Sequence, residues 1–136
     1  MKIKIKEGAF KPSRAHANDA GTDLRTPHDV FINGGGSAEI DTKTCAAIPK
    51  GYVGFVKSKS GHLFRKNITT DGVVDAGYTG SINVKLFNHG SEPVSFKAGD
   101  KIAQLVVVPC LIEELEFVEE LEETERGENG FGSTGR

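Results

Sequence analysis

Apolar and polar residues alternate along several short stretches of the chain. The alternation is clearest at residues 2–6, 52–57 and 82–88, each of which lies close to Gly, Asn, Asp or Ser. Because successive side chains of a strand point to opposite faces, this pattern predicts half-buried β-strands. Four further apolar or β-branched stretches predict strands at residues 30–32, 38–40, 46–48 and 102–108.

Turn-forming residues separate the predicted strands. Gly, Pro, Asn and Asp cluster at residues 33–36, 49–51, 88–90 and 98–100. Short strands spaced by roughly 8–12 residues favour an antiparallel sandwich or jelly-roll. Only residues 60–66 favour a short helical turn. We therefore predict an all-β fold, and a length of 136 residues fits a single domain.

The segment of residues 111–121 fits two kinds of element. Leu111, Leu115 and Val118 have the spacing of a helix, whereas Leu115 and Phe117 also fit a strand. Periodicity alone does not decide between them. Residues 126–136 contain four Gly and, taken alone, are expected to form a mobile tail.

Composition and charge narrow the class of protein. The chain is 37% hydrophobic and 26% charged, as in ordinary globular proteins. Its longest apolar run is too short to cross a membrane, and its first ten residues alternate charged and apolar side chains instead of forming a secretory signal. We therefore expect a cytoplasmic protein without a membrane partner.

The net charge of −2 hides an uneven distribution. Residues 1–112 contain 15 Lys and Arg against 10 Asp and Glu, whereas residues 113–136 contain 2 against 9. A mildly basic body suits a small phosphorylated ligand. It is too weakly charged to predict binding to nucleic acid.

Three polar stretches are candidates for chemistry, and each also has a purely structural interpretation. Asp75, in the hairpin of residues 71–80, is a candidate base that orients a water, or a residue that only stabilises its turn. Residues 57–61, with two Lys, two Ser and a Gly, suit phosphate binding or form a solvated loop. Residues 19–24 place two Asp beside a Gly, an arrangement typical of a structural turn.

The order of five motifs is more specific than any one of them. The motifs are AGTDL at 20–24, KSG at 59–61, GVVDAGYTG at 72–80, GDKIAQ at 99–104 and RGENGFGSTG at 126–135. In this order they resemble the five motifs of the homotrimeric dUTP diphosphatases. The resemblance implies a distorted antiparallel jelly-roll at residues 1–125 and a flexible C-terminal lid at residues 126–136. It also implies a trimer with shared active sites, in which residues 111–121 form a strand exchanged between subunits.

The resemblance implies a reaction and its catalytic residues. Asp75 would activate a water that attacks the α-phosphorus of dUTP, giving dUMP and pyrophosphate, and Gln104 would help to position the water or the phosphate. Mg²⁺, held by the substrate phosphates, would share their charge. Asp23 would contact this ion from the outer shell, through water.

The same resemblance implies the substrate-binding residues. Gly72 and, across from it, Asn83 would bind the uracil edge through their main chains, and Tyr78 would lie under the deoxyribose. The remaining residues would contact the phosphates or cover the base: Lys59, Ser60, Gly61, Arg126, Phe131, Gly132, Ser133 and Thr134.

The motifs depart from the family pattern at three positions. Lys59 replaces the usual Arg and lacks its bidentate fork, so phosphate positioning is expected to be looser. Asn67 and Asn129 stand where the family often has Gly, and Asn tolerates left-handed backbone better than most residues.

Two rival functions follow from the same resemblance. A deoxycytidine triphosphate deaminase shares much of the fold, but the hairpin of residues 71–80 lacks the Glu that such an enzyme needs as a proton shuttle. A nucleotide-sensing protein that uses its trimer surface to bind a regulatory protein partner is the other alternative.

Overall fold

The computed structural model describes residues 1–129, and within this range the chain forms eleven β-strands and one short helix. The helix, α1, spans Ser60–Lys66. The strands are β1 (Lys2–Ile5), β2 (Gly21–Arg25), β3 (Val30–Ile32), β4 (Ser37–Asp41), β5 (Thr44–Ala47), β6 (Tyr52–Lys57), β7 (Ile68–Thr69), β8 (Asp71–Val74), β9 (Asn83–Asn88), β10 (Val94–Phe96) and β11 (Lys101–Pro109). The prediction of an all-β fold with a single helical turn is confirmed.

Hydrogen bonds join these strands into four sheets, and every strand pair is antiparallel. The largest sheet has the order β2-β11-β6-β8, and a three-stranded sheet has the order β4-β9-β7. The pairs β1-β5 and β10-β3 complete the set. Neighbouring strands are distant in sequence, as expected for a distorted jelly-roll.

One hydrophobic core joins the sheets. Leu24, Leu86, Phe96 and Leu105, from four different strands, are each no more than 2% exposed. Exposed and buried residues alternate along the whole of β9, which confirms the pattern predicted for residues 82–88.

Strand β1 departs from its prediction. The alternation of residues 2–6 indicates a half-buried strand, yet Lys2, Ile3 and Lys4 are all exposed. In the described chain β1 pairs only with β5. Ile5 is part-buried and Ile3 is 38% exposed, so the apolar face of this edge strand is only partly covered and the predicted half burial is confirmed at Ile5 alone.

Strand β2 lies where the sequence indicates only a turn. Gly and Asp at residues 19–24 are typical of turns, but Gly21–Arg25 pairs with β11 along its length. Pairing and the burial of Leu24 override the local preference. Val94–Phe96, for which no strand was predicted, forms β10 by pairing with β3.

Helix α1 ends at Asn67 with left-handed backbone angles, φ 53° and ψ 33°. The Asn67 N–H donates to the carbonyl of His62 and closes the last turn. Asn is among the residues that tolerate this conformation. The expectation that Asn can stand in for Gly here is confirmed.

The chain after β11 forms neither helix nor strand up to residue 129. Leu115 is 84% exposed and Phe117 is 93% exposed, so the apolar side chains of residues 111–121 do not pack against the described part of their own chain. A strand at this position therefore stays a prediction for an assembly of chains. Among the described residues, no helix is long and apolar enough to cross a membrane.

Candidate active site

Four polar side chains lie side by side across the largest sheet. The strand register places Asp23 of β2 opposite Gln104 of β11. It places Lys57 of β6 opposite Gln104 and also opposite Asp71 of β8. Directly opposed residues of antiparallel strands point to the same face, so these four residues form a polar row across all four strands.

Asp23, at one end of the polar row, is buried between two lysines. Lys59 Nζ donates to its Oδ1, and Lys101 Nζ donates to its Oδ2 over 2.7 Å. Burial raises the pKa of the Asp23 carboxyl, but the hydrogen bonds from Lys101 and Lys59 outweigh it and hold the pKa below its usual value of 3.8. One carboxylate between two ammonium groups leaves this cluster net positive.

Lys59 precedes α1 in a segment that is held from two sides. The Ser58 hydroxyl accepts from the Thr70 N–H over 2.8 Å and donates to the Thr70 carbonyl over 3.0 Å. The His62 ring forms a 2.6 Å hydrogen bond with the Lys101 carbonyl. These contacts fix the start of α1 beside the end of the polar row.

Ser60 and Gly61, the other two residues of the predicted phosphate clamp, form the first turn of α1. Both are exposed. A Cβ added at Gly61 would have no atom within 4 Å. The backbone at this turn is thus open to an approaching anion.

The Gln104 side chain is held in place by a hydrogen bond on one side and by a glycine on the other. Its Nε2 donates to the Ser58 carbonyl over 3.0 Å. A Cβ built at Gly21 would lie 2.0 Å from Gln104 Oε1 and 2.9 Å from its Cδ. Any side chain at position 21 would therefore displace the amide of Gln104.

These groups face one open cleft of about 380 Å³. Asp23, Lys59, Lys101 and Gln104 all line it, together with Gly21. Two ammonium groups and an amide that share one space are suited to binding phosphate. The structure thus brings together three of the predicted site residues, Asp23, Lys59 and Gln104, and adds Lys101 and Gly21, for which the sequence indicates no role.

Asp75, the predicted base, lies elsewhere. It follows β8 directly and is exposed. Its carbonyl accepts from the Tyr78 N–H over 3.2 Å, and Gly77 has a φ of 92°, as at the third position of a type II turn. Asp75 is four residues from Asp71, which at about 3.4 Å per extended residue is at most about 14 Å along the chain from the polar row. The cleft that Gln104 lines does not include Asp75 in the described chain.

Tyr78 packs across the turn that follows β8. Its hydroxyl donates to the Ser81 carbonyl over 2.8 Å. A Cβ at Gly80 would lie 2.4 Å from the Tyr78 hydroxyl oxygen, so Gly80 leaves the space that the ring fills. The ring remains 46% exposed, which leaves surface available for a ligand.

The two residues predicted to bind uracil belong to different sheets. Gly72 lies opposite Val56 in the largest sheet, whereas Asn83 lies opposite Asp41 in the three-stranded sheet. They are therefore not cross-strand partners, although β8 and β9 approach each other. Their roles in base binding stay predictions.

The predicted lid is described only at its beginning. Arg126 is exposed, and its Nε donates to the Asn129 carbonyl over 3.0 Å. Gly127 has a φ of 50°. The other predicted lid residues lie outside the described residues: Phe131, Gly132, Ser133 and Thr134.

The described residues offer few ligands for a metal ion. Within residues 1–129, no three His, Cys, Asp or Glu side chains are grouped so that they could hold one. Both oxygens of Asp23 are already bound by lysines. Mg²⁺ commonly binds through substrate phosphates and waters with few protein ligands, so the residues fit an ion that arrives with a triphosphate.

The all-β fold and the cleft, in which Lys59 and Lys101 stand beside Asp19 and Asp23, define the class: a small β protein with one polar cleft of mixed charge beside its largest sheet. The family model of the dUTPases matches residues 8–135. The chain belongs to the dUTPase family, which confirms the resemblance drawn from the five motifs.

Relatives agree over nearly the full length of the chain. The deoxyuridine 5′-triphosphate nucleotidohydrolase of Cutibacterium acnes is 47% identical over 128 residues, which cover 91% of this chain and 84% of the relative. That of Clostridium tetani is 41% identical over 140 residues, covering 100% and 97%. Both are hydrolases, which decides against the deaminase alternative.

Solved structures agree in fold. The dUTPase of Staphylococcus bacteriophage 80alpha with dUpNHpp has a TM-score of 0.91 and 32% identity, and the match covers 99% of this chain and 98% of the phage chain. A mutant dUTPase of phage phi11, described with a structural Mg(II) ion, has a TM-score of 0.81 and 29% identity, covering 90% and 98%.

Proposed function

We propose that this chain hydrolyses dUTP to dUMP and pyrophosphate, with Asp75 activating the attacking water and with Lys59, Ser60 and Gly61 binding the phosphates. The observation that carries the proposal is the cleft itself, in which Lys59, Lys101 and Gln104 surround the buried Asp23 in a chain of this family. A cytoplasmic location stays a prediction.

Asp75 is the general base of the proposed reaction. Its carboxylate accepts a proton from water as the water oxygen forms a bond to the α-phosphorus. The bond from this phosphorus to the bridging oxygen breaks in line, and pyrophosphate leaves with the electron pair. Gln104 positions the water or a phosphate oxygen, since its amide is fixed by Ser58 and Gly21.

Phosphate binding falls to Lys59, Ser60 and Gly61. The ammonium of Lys59 supplies charge, and the exposed turn formed by Ser60 and Gly61 lets the backbone approach closely. The ammonium of Lys lacks the planar guanidinium with which Arg donates two parallel hydrogen bonds, so it fixes the orientation of a phosphate less strictly.

Mg²⁺ carried on the phosphates would neutralise part of the triphosphate charge. Asp23 would act on it only from the outer shell, through water. The two lysines on its oxygens support this indirect role over direct ligation.

A homotrimer completes the proposed site. The absence of Asp75 from the cleft that Gln104 lines in the described chain supports a site built from more than one subunit. The exposed apolar residues of 111–121 support their exchange as a strand onto a neighbour. Residues 1–125 would form the body, and residues 126–136 a lid that closes over the nucleotide.

The hairpin of residues 71–80 and the lid of residues 126–136 would select dUTP over other nucleotides. Main-chain groups at Gly72 and Asn83 would pair with the uracil edge, and cytosine, with the opposite donor pattern, would leave them unpaired at about 1–3 kcal/mol per group. Tyr78 would exclude a ribose 2′-hydroxyl, and Phe131 would stack on the base. In the lid, the phosphate contacts would come from Arg126, Gly132, Ser133 and Thr134.

A second role as a nucleotide-sensing interaction protein has one observation in its favour. Phage dUTPases, among them that of phage 80alpha, are described as controlling the transfer of virulence genes, and this chain has the fold of that enzyme. A regulatory protein that binds the nucleotide-loaded trimer would be the partner.

A panel of four nucleotides tests the proposed activity. Purified protein with Mg²⁺ is expected to release pyrophosphate from dUTP and to act only weakly on dTTP, dCTP and UTP. No pyrophosphate from dUTP would overturn the enzymatic function and leave the sensing role in its place.

A further inference from the structure

Lys101 contacts the buried Asp23 but has no role in the reaction proposed above. Its ammonium donates to Asp23 Oδ2 over 2.7 Å, while Lys59 binds Oδ1. The side chains of Lys101 and Lys59 are 35% and 26% exposed, whereas that of Asp23 is only 6% exposed. Both lysines reach the cleft, and the carboxylate between them is almost sealed from water.

The backbone directs Lys101 toward Asp23. The register of β11 against β2 shifts between Lys101 and Ala103, as at a β-bulge. Bulges of this kind change the direction in which a side chain points. The Lys101 carbonyl is also hydrogen-bonded to His62 over 2.6 Å. Lys101 is thus fixed in the sheet, whereas Lys59 lies in the segment just before α1.

Charge pairing explains why two lysines are needed. If the Lys59 ammonium bound a substrate phosphate instead, Oδ1 of Asp23 would lose its partner. A buried carboxylate without any partner is strongly unfavourable. Because Lys101 binds Oδ2, Asp23 would stay paired and Lys59 could move away without leaving a buried carboxylate unpaired.

We propose that Lys101 is a positioning residue of the phosphate subsite: by holding Asp23 it frees Lys59 to bind a phosphate of the substrate. This inference rests on the proposed function, because it takes the anion to be the triphosphate of dUTP.

Binding of dUpNHpp, measured by titration calorimetry, tests the inference without any chemical step. Lys101→Met is expected to weaken binding about 10- to 100-fold, because Lys59 stays on Asp23. Lys101→Arg, which keeps the ion pair, should bind within about 3-fold of wild type. Lys97→Met is the matched control, since it breaks an exposed pair with Asp29 in which the side chains are 78% and 60% exposed.

A double-mutant cycle separates a positioning role from direct phosphate contact and from general damage. In the Asp23→Asn background no buried charge needs Lys101, so adding Lys101→Met should change dUpNHpp binding by less than about 3-fold. Where Lys101→Met alone does not fold, the Asp23→Asn arm still tests the proposal, because a loss of about 10-fold or more in that background would overturn it. An equal loss in both backgrounds would show that Lys101 acts independently of Asp23 and would overturn the proposal.

Two further comparisons complete the test. Deoxyuridine carries no phosphate, so its binding should be the same in Lys101→Met as in wild type; equal weakening would indicate a merely structural role. If wild type binds dUpNHpp and Lys101→Met binds it equally well, the inference is overturned and the proposed function is not affected. Failure of the wild type to bind dUpNHpp would overturn the proposed function and the inference with it.

Discussion

Asp23 is 4% exposed and yet remains a carboxylate, because Lys59 and Lys101 bind its two oxygens. The pKa of this group is lowered from 3.8, so the folded chain holds the proton less tightly than the unfolded chain does. Its stabilising contribution is therefore complete above a pH of about 3.8 and is lost as the pH falls through the lower folded pKa.

Asp23→Asn should lower the free energy of unfolding at pH 7 by about 2 kcal/mol, since it removes two charge-assisted hydrogen bonds. The difference from wild type should shrink as the pH falls below about 4. Denaturant unfolding at several pH values measures both effects. Asp71→Asn, which breaks an exposed pair with Lys57, should change stability by less than about 1 kcal/mol. A difference for Asp23→Asn that persists unchanged at pH 3 would contradict the charge pairing.

Gly21→Ala should lower kcat without unfolding the protein. The new Cβ would stand 2.0 Å from Gln104 Oε1, so the amide must leave its bond to the Ser58 carbonyl. Turnover should fall about as far as in Gln104→Ala, by about 10-fold or more. Steady-state kinetics of the two single variants and of the double variant measure this. Additive losses in the double variant would show that the two positions act separately.

At the scale of elements, the sequence predicted those strands whose alternation reflects burial on one face. Strand β9 shows this, since Val84 and Leu86 point into the core and Lys85 points to solvent. Strand β2 was not predicted, because its Gly and Asp are there for the site: Gly21 makes room for Gln104 and Asp23 binds the lysines. Gly and Asp that serve the site are typical of turns, so their local preference does not predict the strand that they form.

Helix α1 positions Lys59, and its C-terminal end depends on Asn67. Asn67→Gly should leave the free energy of unfolding within about 0.5 kcal/mol of wild type, because Gly adopts positive φ freely. Asn67→Ala should lower it by about 1 kcal/mol, since an ordinary side chain is strained at a φ of 53°. Chemical denaturation of the two variants checks the order. Equal stability of the Ala and Gly variants would argue against a left-handed end at this residue.

At the scale of the whole molecule, the cleft that Gln104 lines does not include Asp75 within residues 1–129. The turn with Asp75 lies outside this cleft. The sequence gives the order of the two motifs along the chain, but it does not show where they lie relative to each other in space. Resemblance to the family predicted a shared site, whereas periodicity could not, because Leu115 and Phe117 are exposed in the described chain and show no face of burial. Lys101 was overlooked for a related reason: its role depends on a bulge that the sequence does not reveal.

Removal of residues 126–136 should greatly lower turnover of dUTP while leaving a trimer. The predicted lid contacts lie in this segment, whereas the exchanged segment of residues 111–121 remains. Light scattering after gel filtration reports the assembly, and pyrophosphate release reports turnover. Full turnover by the shortened protein would show that the lid assignment is wrong, and a monomer would place assembly contacts in the removed residues.

The role of Asp75 is tested most directly by single-turnover hydrolysis of dUTP in Asp75→Asn, alongside its binding of dUpNHpp. Asn keeps the size of the side chain and removes its ability to accept a proton, so binding should stay within about 3-fold of wild type while hydrolysis falls by about 100-fold or more. Hydrolysis at the wild-type rate by Asp75→Asn would show that another group activates the water.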